Sequence, residues 1–194
     1  MTLHRADAVR RLMRWARCSV ANLLLGVALA VLVFDIFTVR PCVARIEQVI
    51  ATAHPDERNP SAALQEMIHR AHGDRLEGLV ARDAVLSSMR GGERMQTLPR
   101  VLTEAGVAML LPWHLSEAQL ETAYLASSFM GTGVRGFAAA SARHLGTHLA
   151  LVDLRQAAHL MAIAHAPSFS LQNPQRLGQR VLWLLSRPSS TGQP

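Results

Sequence analysis

The sequence predicts an all-α domain preceded by a single transmembrane helix. Three observations carry this. An uncharged, apolar run extends from Cys18 to Phe34, and roughly 20 apolar residues suffice to cross the hydrocarbon core of a bilayer. Downstream, apolar residues recur at helical spacing between cap and turn residues, and no alternating run is long enough for a strand. Of the 194 residues, 49% are apolar but only 5% aromatic, which suits a helical core of Leu, Ala, Val and Met.

Residues 1–17 form a basic tail, with Arg5, Arg10, Arg11, Arg14 and Arg17 against Asp7 alone. A positive flank ahead of the span predicts a cytoplasmic N-terminus and an external domain. The span covers 18–39 and is interrupted by Asp35, which is expected to pair with Arg40 at the interface, with a mark of a partner helix as the alternative. A cleaved signal peptide is the rival reading. No small-x-small site follows the apolar run, which favours a retained anchor. Cys18 and Cys42 then fall at opposite membrane faces and cannot pair. Cys42 is read as an idle thiol, with a bridge between neighbouring chains as the alternative.

The external domain is expected over 40–187, followed by a polar tail at 188–194. Arg40-Pro41-Cys42 ends the span, and a short helix follows over Arg45–Ala53. The run His54-Pro55-Asp56-Glu57-Arg58-Asn59-Pro60 is dense in turn residues and reads as a loop. After Ser61 a helix runs to His72, with Ala63, Leu64, Met67, Ile68 and Ala71 on one face and Gly73 as its stop. Leu76–Met89 is weakly periodic and is broken by Arg90-Gly91-Gly92. Pro99 stands at the start of the next helix, which carries Val101, Leu102, Ala105, Ala108 and Met109 inward and stops at Pro112. Ser116-Glu117-Ala118-Gln119 has capping-box form, with Leu115 and Leu120 as a hydrophobic staple. It opens a helix to about Phe129. Gly131 and Gly133 make a turn, residues 134–145 a helix of small residues closed by Gly146, and Asp153–Gln156 a second box that opens a helix to about Ala164. Asn173-Pro174 begins the last helix, with Leu177, Val181, Leu182 and Leu185 on one face. Met67, Met109 and Met161 read as core filler.

The net charge is +6, and all 20 basic residues are Arg. No Lys is present to act as a phosphate clamp or a base. The tail holds most of the excess charge, so no nucleic-acid-binding face is expected.

The motifs lie in the second half. Ser116 and Tyr124-Leu125 are followed by Gly131-x-Gly133-x-x-Gly136 and then Ala140. Leu154 to Leu160, Ala166-Pro167 and Asn173-Pro174 with Arg180 and Val181-Leu182 complete the series. This stretch resembles the C-terminal half of a peptidoglycan glycosyltransferase domain of family 51, the module of class A penicillin-binding proteins and monofunctional transglycosylases. The resemblance implies a lysozyme-like helical lobe beside a smaller lobe that hugs the membrane. It also implies a place in the bacterial inner membrane, single-pass, with the domain in the periplasm. The implied partners are lipid-linked peptidoglycan precursor and other cell-wall synthesis proteins.

Upstream the pattern departs from the family. Arg100 and Glu104 match the R and E of its R-K-x-x-E, with Val101 in place of Lys, and Arg70 matches its I-x-R-A. The family's catalytic motif E-D-x-x-F-x-x-H falls on Ala53-His54-Pro55-Asp56-Glu57-Arg58-Asn59-Pro60, so Ala53 stands where the general base belongs. The second motif falls on Gly78–Met89 and keeps only Gly78 and Leu86. The resemblance therefore implies Glu104 as a relic of the catalytic set, and Arg100, Arg135 and Arg70 as substrate-binding. Arg143 is a further candidate for an anionic headgroup. A His54–Asp56 metal pair is weighed and set aside for a polar turn, and His159 and His165 are read as structural. No cofactor is expected; a divalent cation belongs only to an active enzyme.

Four readings follow. The favoured one is a pseudoenzyme that binds precursor or partner proteins. The others are an active glycosyltransferase whose base has moved to Asp56 or Glu57, a lytic enzyme working through Glu104, and a structural membrane protein.

Overall fold

The computed structural model describes residues 20–88 and 97–188. The described residues fall into two compact units that divide between Pro41 and Cys42. The Arg residues of the tail, Cys18, the Arg90–Gly92 break and residues 189–194 lie outside the described residues. All of the described elements are helical, and strand pairing among them is limited to one isolated bridge, Phe129 to Arg135.

The first described helix, α1 (Val20–Thr52), is long and apolar enough to cross a membrane. Leu23, Leu24, Leu25, Val27, Leu29 and Leu32 are exposed along it, as expected of a surface whose solvent is lipid. The helix is compatible with a membrane anchor. It does not stop at Arg40-Pro41-Cys42, contrary to the sequence expectation. Asp35–Val39 forms a π-helical turn, closed by Arg40 N–H donating to the Asp35 carbonyl. A proline inside a helix clashes with the carbonyl four residues back. Opening the ladder one turn earlier makes room for the Pro41 ring. Arg40 Nε donates to Asp35 Oδ2 at 3.1 Å, the pairing the sequence suggested. Cys42 is buried.

Residues 54–60 correct the sequence reading. Instead of a loop they form a helical turn, α2 (Pro55–Arg58). His54 caps it: Asp56 N–H donates to His54 Nδ1 at 3.2 Å, and His54 N–H donates to Glu57 Oε2 at 3.1 Å. His is a rare cap, so the turn residues were legible and the capping box was not.

Next comes α3 (Ala62–His72), capped by Ser61, with Leu64, Met67 and Ile68 buried as expected. The helices α4 (Leu76–Ser88), α5 (Thr97–Leu110) and α6 (Glu117–Ser127) follow. Ser116 and Gln119 form the expected capping box, and Leu115 and Leu120 are both buried as a staple. Helix α7 (Phe137–Leu145) starts three residues later than expected and ends at Gly146. Helix α8 (Leu154–His165) opens on the Asp153–Gln156 box. Sequence reasoning missed α9 (Pro167–Gln172), which is only six residues long. Helix α10 (Pro174–Ser186) is the last.

The core gathers around α8. Ala157, Ala158, Leu160, Met161, Ala162 and Ile163 are all buried. A helix apolar nearly all round belongs at a centre, and α3, α7, α9 and α10 pack on it. A second group forms where α4 meets α5 and α6.

Two helix faces differ from expectation. In α5, Leu98, Val101, Leu102 and Met109 are exposed, while Val107 and Leu110 are buried. Ala105 is exposed too, and Ala108 is half-buried. Both faces of α5 are apolar, so its period does not say which one meets α4. In α10, Val181 and Leu184 are buried and Leu182 is 65% exposed. Position 182 lies about 100° around the helix from 181, which turns it out of the core.

Candidate functional site

The ends of α1, α2, α4, α6 and α7 enclose a cleft of about 870 Å³. Its walls carry Arg45, His54, Asp56, Glu57, Asp83 and Arg135. Ala53 lies on the same wall and is buried. The volume is in the usual range for a ligand site.

Glu57 organises this cleft. It is 4% exposed, a rare state for a carboxylate. Its Oε1 accepts from Ala138 N–H at 2.9 Å, and its Oε2 accepts from His54 N–H at 3.1 Å. Ala138 is in the first turn of α7, where backbone N–H groups lack helical partners and the helix dipole favours negative charge. One side chain thus closes the start of α2 and ties it to the start of α7.

The Gly-x-Gly-x-x-Gly motif makes this approach possible. Gly136 has φ +83°, and a Cβ there would stand 2.7 Å from Glu57 Oε1. Gly131 has φ +81°, and a Cβ there would meet Leu171 Cδ1 at 2.7 Å and Pro167 Cβ at 3.4 Å. Gly131 and Gly136 are therefore required both by conformation and by close contact, and Gly133, at φ +77° in open space, by conformation alone. They bring the Ala166-Pro167 motif and the Glu57 carboxylate against one turn.

Tyr124 is buried on α6 and turns toward the other side of the domain, where His72 lines a second cavity. Burial pushes its phenol well above the ordinary range. Its hydroxyl lies 2.7 Å from His72 Nε2, and the rings meet edge to face at 4.8 Å. His72 is pushed down to about 4, first by burial and then by the positive fields of His165, Arg180 and Arg187. Burial also lowers His159, with His144 as the second cause, and His165, with Arg180.

The structure separates the residues singled out from the sequence. Arg135 lines the cleft and donates from Nη1 to the Ser127 carbonyl at 3.3 Å. Arg143 is exposed on α7 and is not among the described cleft residues. Arg100 and Glu104 sit on α5, one turn apart, with Nε and Oε1 3.3 Å apart. Neither is among the described residues of the cleft. Arg70 faces a second cavity; it donates to the Leu185 carbonyl at 3.0 Å and pairs with Glu66, which ties α3 to α10. His54 and Asp56 share the cleft wall, with Nδ1 and Oδ2 3.7 Å apart. A cluster the sequence did not reveal joins His69 to Glu117 and Glu121, whose ligand-type atoms lie within 4.8 Å of one another. Burial raises Glu121. These residues are some 50 positions apart in sequence, so only the packing of α3 on α6 brings them together.

Comparison with known proteins agrees with the motif reading. The family model described as Transglycosylase matches residues 79–189. A protein of Cupriavidus necator, provisionally named a transglycosylase, is 29% identical over 116 residues. That match covers 59% of this chain and 48% of the relative, so the chain spans about half the length of the protein it resembles. The family match begins downstream of Ala53 and Glu57, and it includes the glycine turn, Tyr124 and the capping box at Ser116. The chain belongs to the transglycosylase family.

Proposed function

We propose that this protein is a membrane-anchored member of the family that binds cell-wall precursor or partner proteins and no longer transfers glycosyl groups. One observation carries the proposal. The wall position that the family register assigns to the general base is Ala53, and a methyl group accepts no proton. Loss of a positioned general base costs roughly 10²–10⁴-fold in rate. The nearby buried carboxylate, Glu57, is engaged by two backbone N–H groups and serves to join α2 to α7. The cleft itself is kept, with Arg135 and Arg45 on its walls for an anionic ligand. The basic tail ahead of α1 supports a cytoplasmic N-terminus and a periplasmic domain.

A second reading is favoured by Asp56. It lines the same cleft beside Ala53, its side chain is 22% exposed, and its described neighbour is the His54 ring at 3.7 Å, so it is the carboxylate placed to replace the base. The two readings part in one assay. The full chain, held in nanodiscs, is incubated with lipid-linked disaccharide, and both binding and glycan chains are measured. Binding without polymer is the expected result. Polymer from the unmodified chain that disappears in Asp56→Asn would establish the second reading. A reporter fused after Pro194 should be active only outside the cytoplasm.

A further inference from the structure

A second cavity of about 760 Å³ opens between α3, α8 and α10, away from the cleft. Its described lining carries Arg70, Arg75, Arg180 and Arg187, together with His69, His72 and His165. No carboxylate appears among the described residues that line it. The family cleft, in contrast, sets Asp56, Glu57 and Asp83 among its cations.

Two of these groups are answered by carboxylates behind the lining, Arg70 by Glu66 and His69 by Glu121; Arg180 and Arg187 have no such partner among the described residues. Arg180 Nε is buried without a hydrogen-bond partner. Burial and then the charge of Arg187 both disfavour its protonated form. Arg180 lies 4.1 Å from the centroid of Trp183, and Arg187 lies 4.8 Å from the same ring. Arg187 Nη1 donates to the Ala71 carbonyl at 3.4 Å, a long contact. One indole thus positions two guanidinium groups at the mouth of a cavity that also holds His72 and His165. Like charges gathered in this way destabilise one another, and a bound anion would reverse the sign. Guanidinium groups match phosphate oxygens in geometry as well as charge.

We propose that this cavity is a phosphate-binding site that takes a phosphomonoester or diphosphate group, held by Arg180 and Arg187 with Trp183 as the wall between them. The group could arrive on a soluble metabolite or on a lipid headgroup, and the chemistry of recognition is the same. The site is independent of whether the cleft retains catalysis.

The test uses the full chain in zwitterionic nanodiscs. Inorganic pyrophosphate is titrated by calorimetry, and a parallel arm replaces some of the lipid with phosphatidic acid and reads thermal stability. Saturable pyrophosphate binding supports the site with a soluble ligand. Stabilisation by phosphatidic acid alone supports it with a headgroup. In either arm Arg187→Gln should weaken the effect about tenfold, the value of one charge-assisted contact. Arg187 is exposed and lies beyond the last turn of α10, so the variant should keep its helical circular dichroism spectrum. Arg82→Gln removes an exposed charge elsewhere on the domain and should change nothing. No effect of either probe would overturn the proposal, and so would equal losses in Arg187→Gln and Arg82→Gln.

Discussion

The two cavities of the domain solve the problem of buried charge in opposite ways. In the cleft, the protein answers its own charges. Glu57 is satisfied by the Ala138 and His54 N–H groups, and Arg135 by the Ser127 carbonyl. In the cavity beside α10, Glu66 answers Arg70 and Glu121 lies beside His69, but Arg180 Nε is left without a hydrogen-bond partner. The first arrangement is a finished piece of architecture that shapes a hollow. The second leaves a buried guanidinium nitrogen, Arg180 Nε, that a ligand would complete. A site's chemistry is thus better read from the polar groups it leaves unanswered than from its size, which is similar in the two.

Four changes would break or sharpen this contrast. The largest effect should come from Glu57→Ala, which leaves two backbone donors without their acceptor. Each costs about 1–3 kcal/mol, so about 4 kcal/mol of domain stability should be lost in chemical denaturation. Asp56→Ala, beside it, should cost under about 0.5 kcal/mol. If the two variants are alike, Glu57 is no tie.

Gly136→Ala should follow, at about 3 kcal/mol, because it adds a left-handed backbone penalty to a clash with Glu57 Oε1. Pairing it with Glu57→Ala should recover part of that loss, since the clashing atom has gone. Strict additivity would show that the backbone alone is responsible.

Acid should act on the other cavity. The folded-state value of His72 lies near 4, below its ordinary 6.5. The unfolded chain therefore binds this proton first as pH falls. The stability His72 contributes is present above about 6.5 and is lost between about 6.5 and 4, by up to about 3 kcal/mol. Thermal unfolding across this range should show the slope, and His72→Gln should flatten it. Pyrophosphate should flatten it too, because a bound anion favours the charged imidazole.

The smallest effect should be that of Glu104→Ala. Its partner Arg100 is one turn away on the same helix, and such pairs contribute about 0.3–0.5 kcal/mol. A large loss of ligand binding in this variant would place α5 in the functional machinery.

Much of the fold was legible in the sequence, because local chemistry fixes local structure. Ser116 with Gln119, Asp153 with Gln156, and Gly73 and Gly146 mark helix ends through hydrogen bonds within a few residues. The faces of α5 and α10 were less so, since the period of an apolar stripe does not name its partner. The site was legible only in part. Arg135 and Ala53 do line the cleft, whereas Arg70 lines the other cavity and Arg100 and Glu104 face each other on α5. Glu57 was seen as an acid in a loop. Its role depends on Ala138, 81 positions away, and on a glycine that lets the backbone come close. The basic cavity was not legible as a unit, because its Arg and His residues come from α3, α8, α10 and the turns after α3 and α10 and meet only in three dimensions.

The burial of Cys42 gives the protein a built-in clock. A thiol that solvent does not reach reacts with a soluble alkylating reagent only during the moments when its surroundings part. The rate of labelling at Cys42, followed by the mass of its own peptide so that Cys18 is read separately, therefore counts openings of the segment around it. Slow modification in the resting state, and faster modification whenever a ligand or partner loosens that segment, would time these events without any engineered probe.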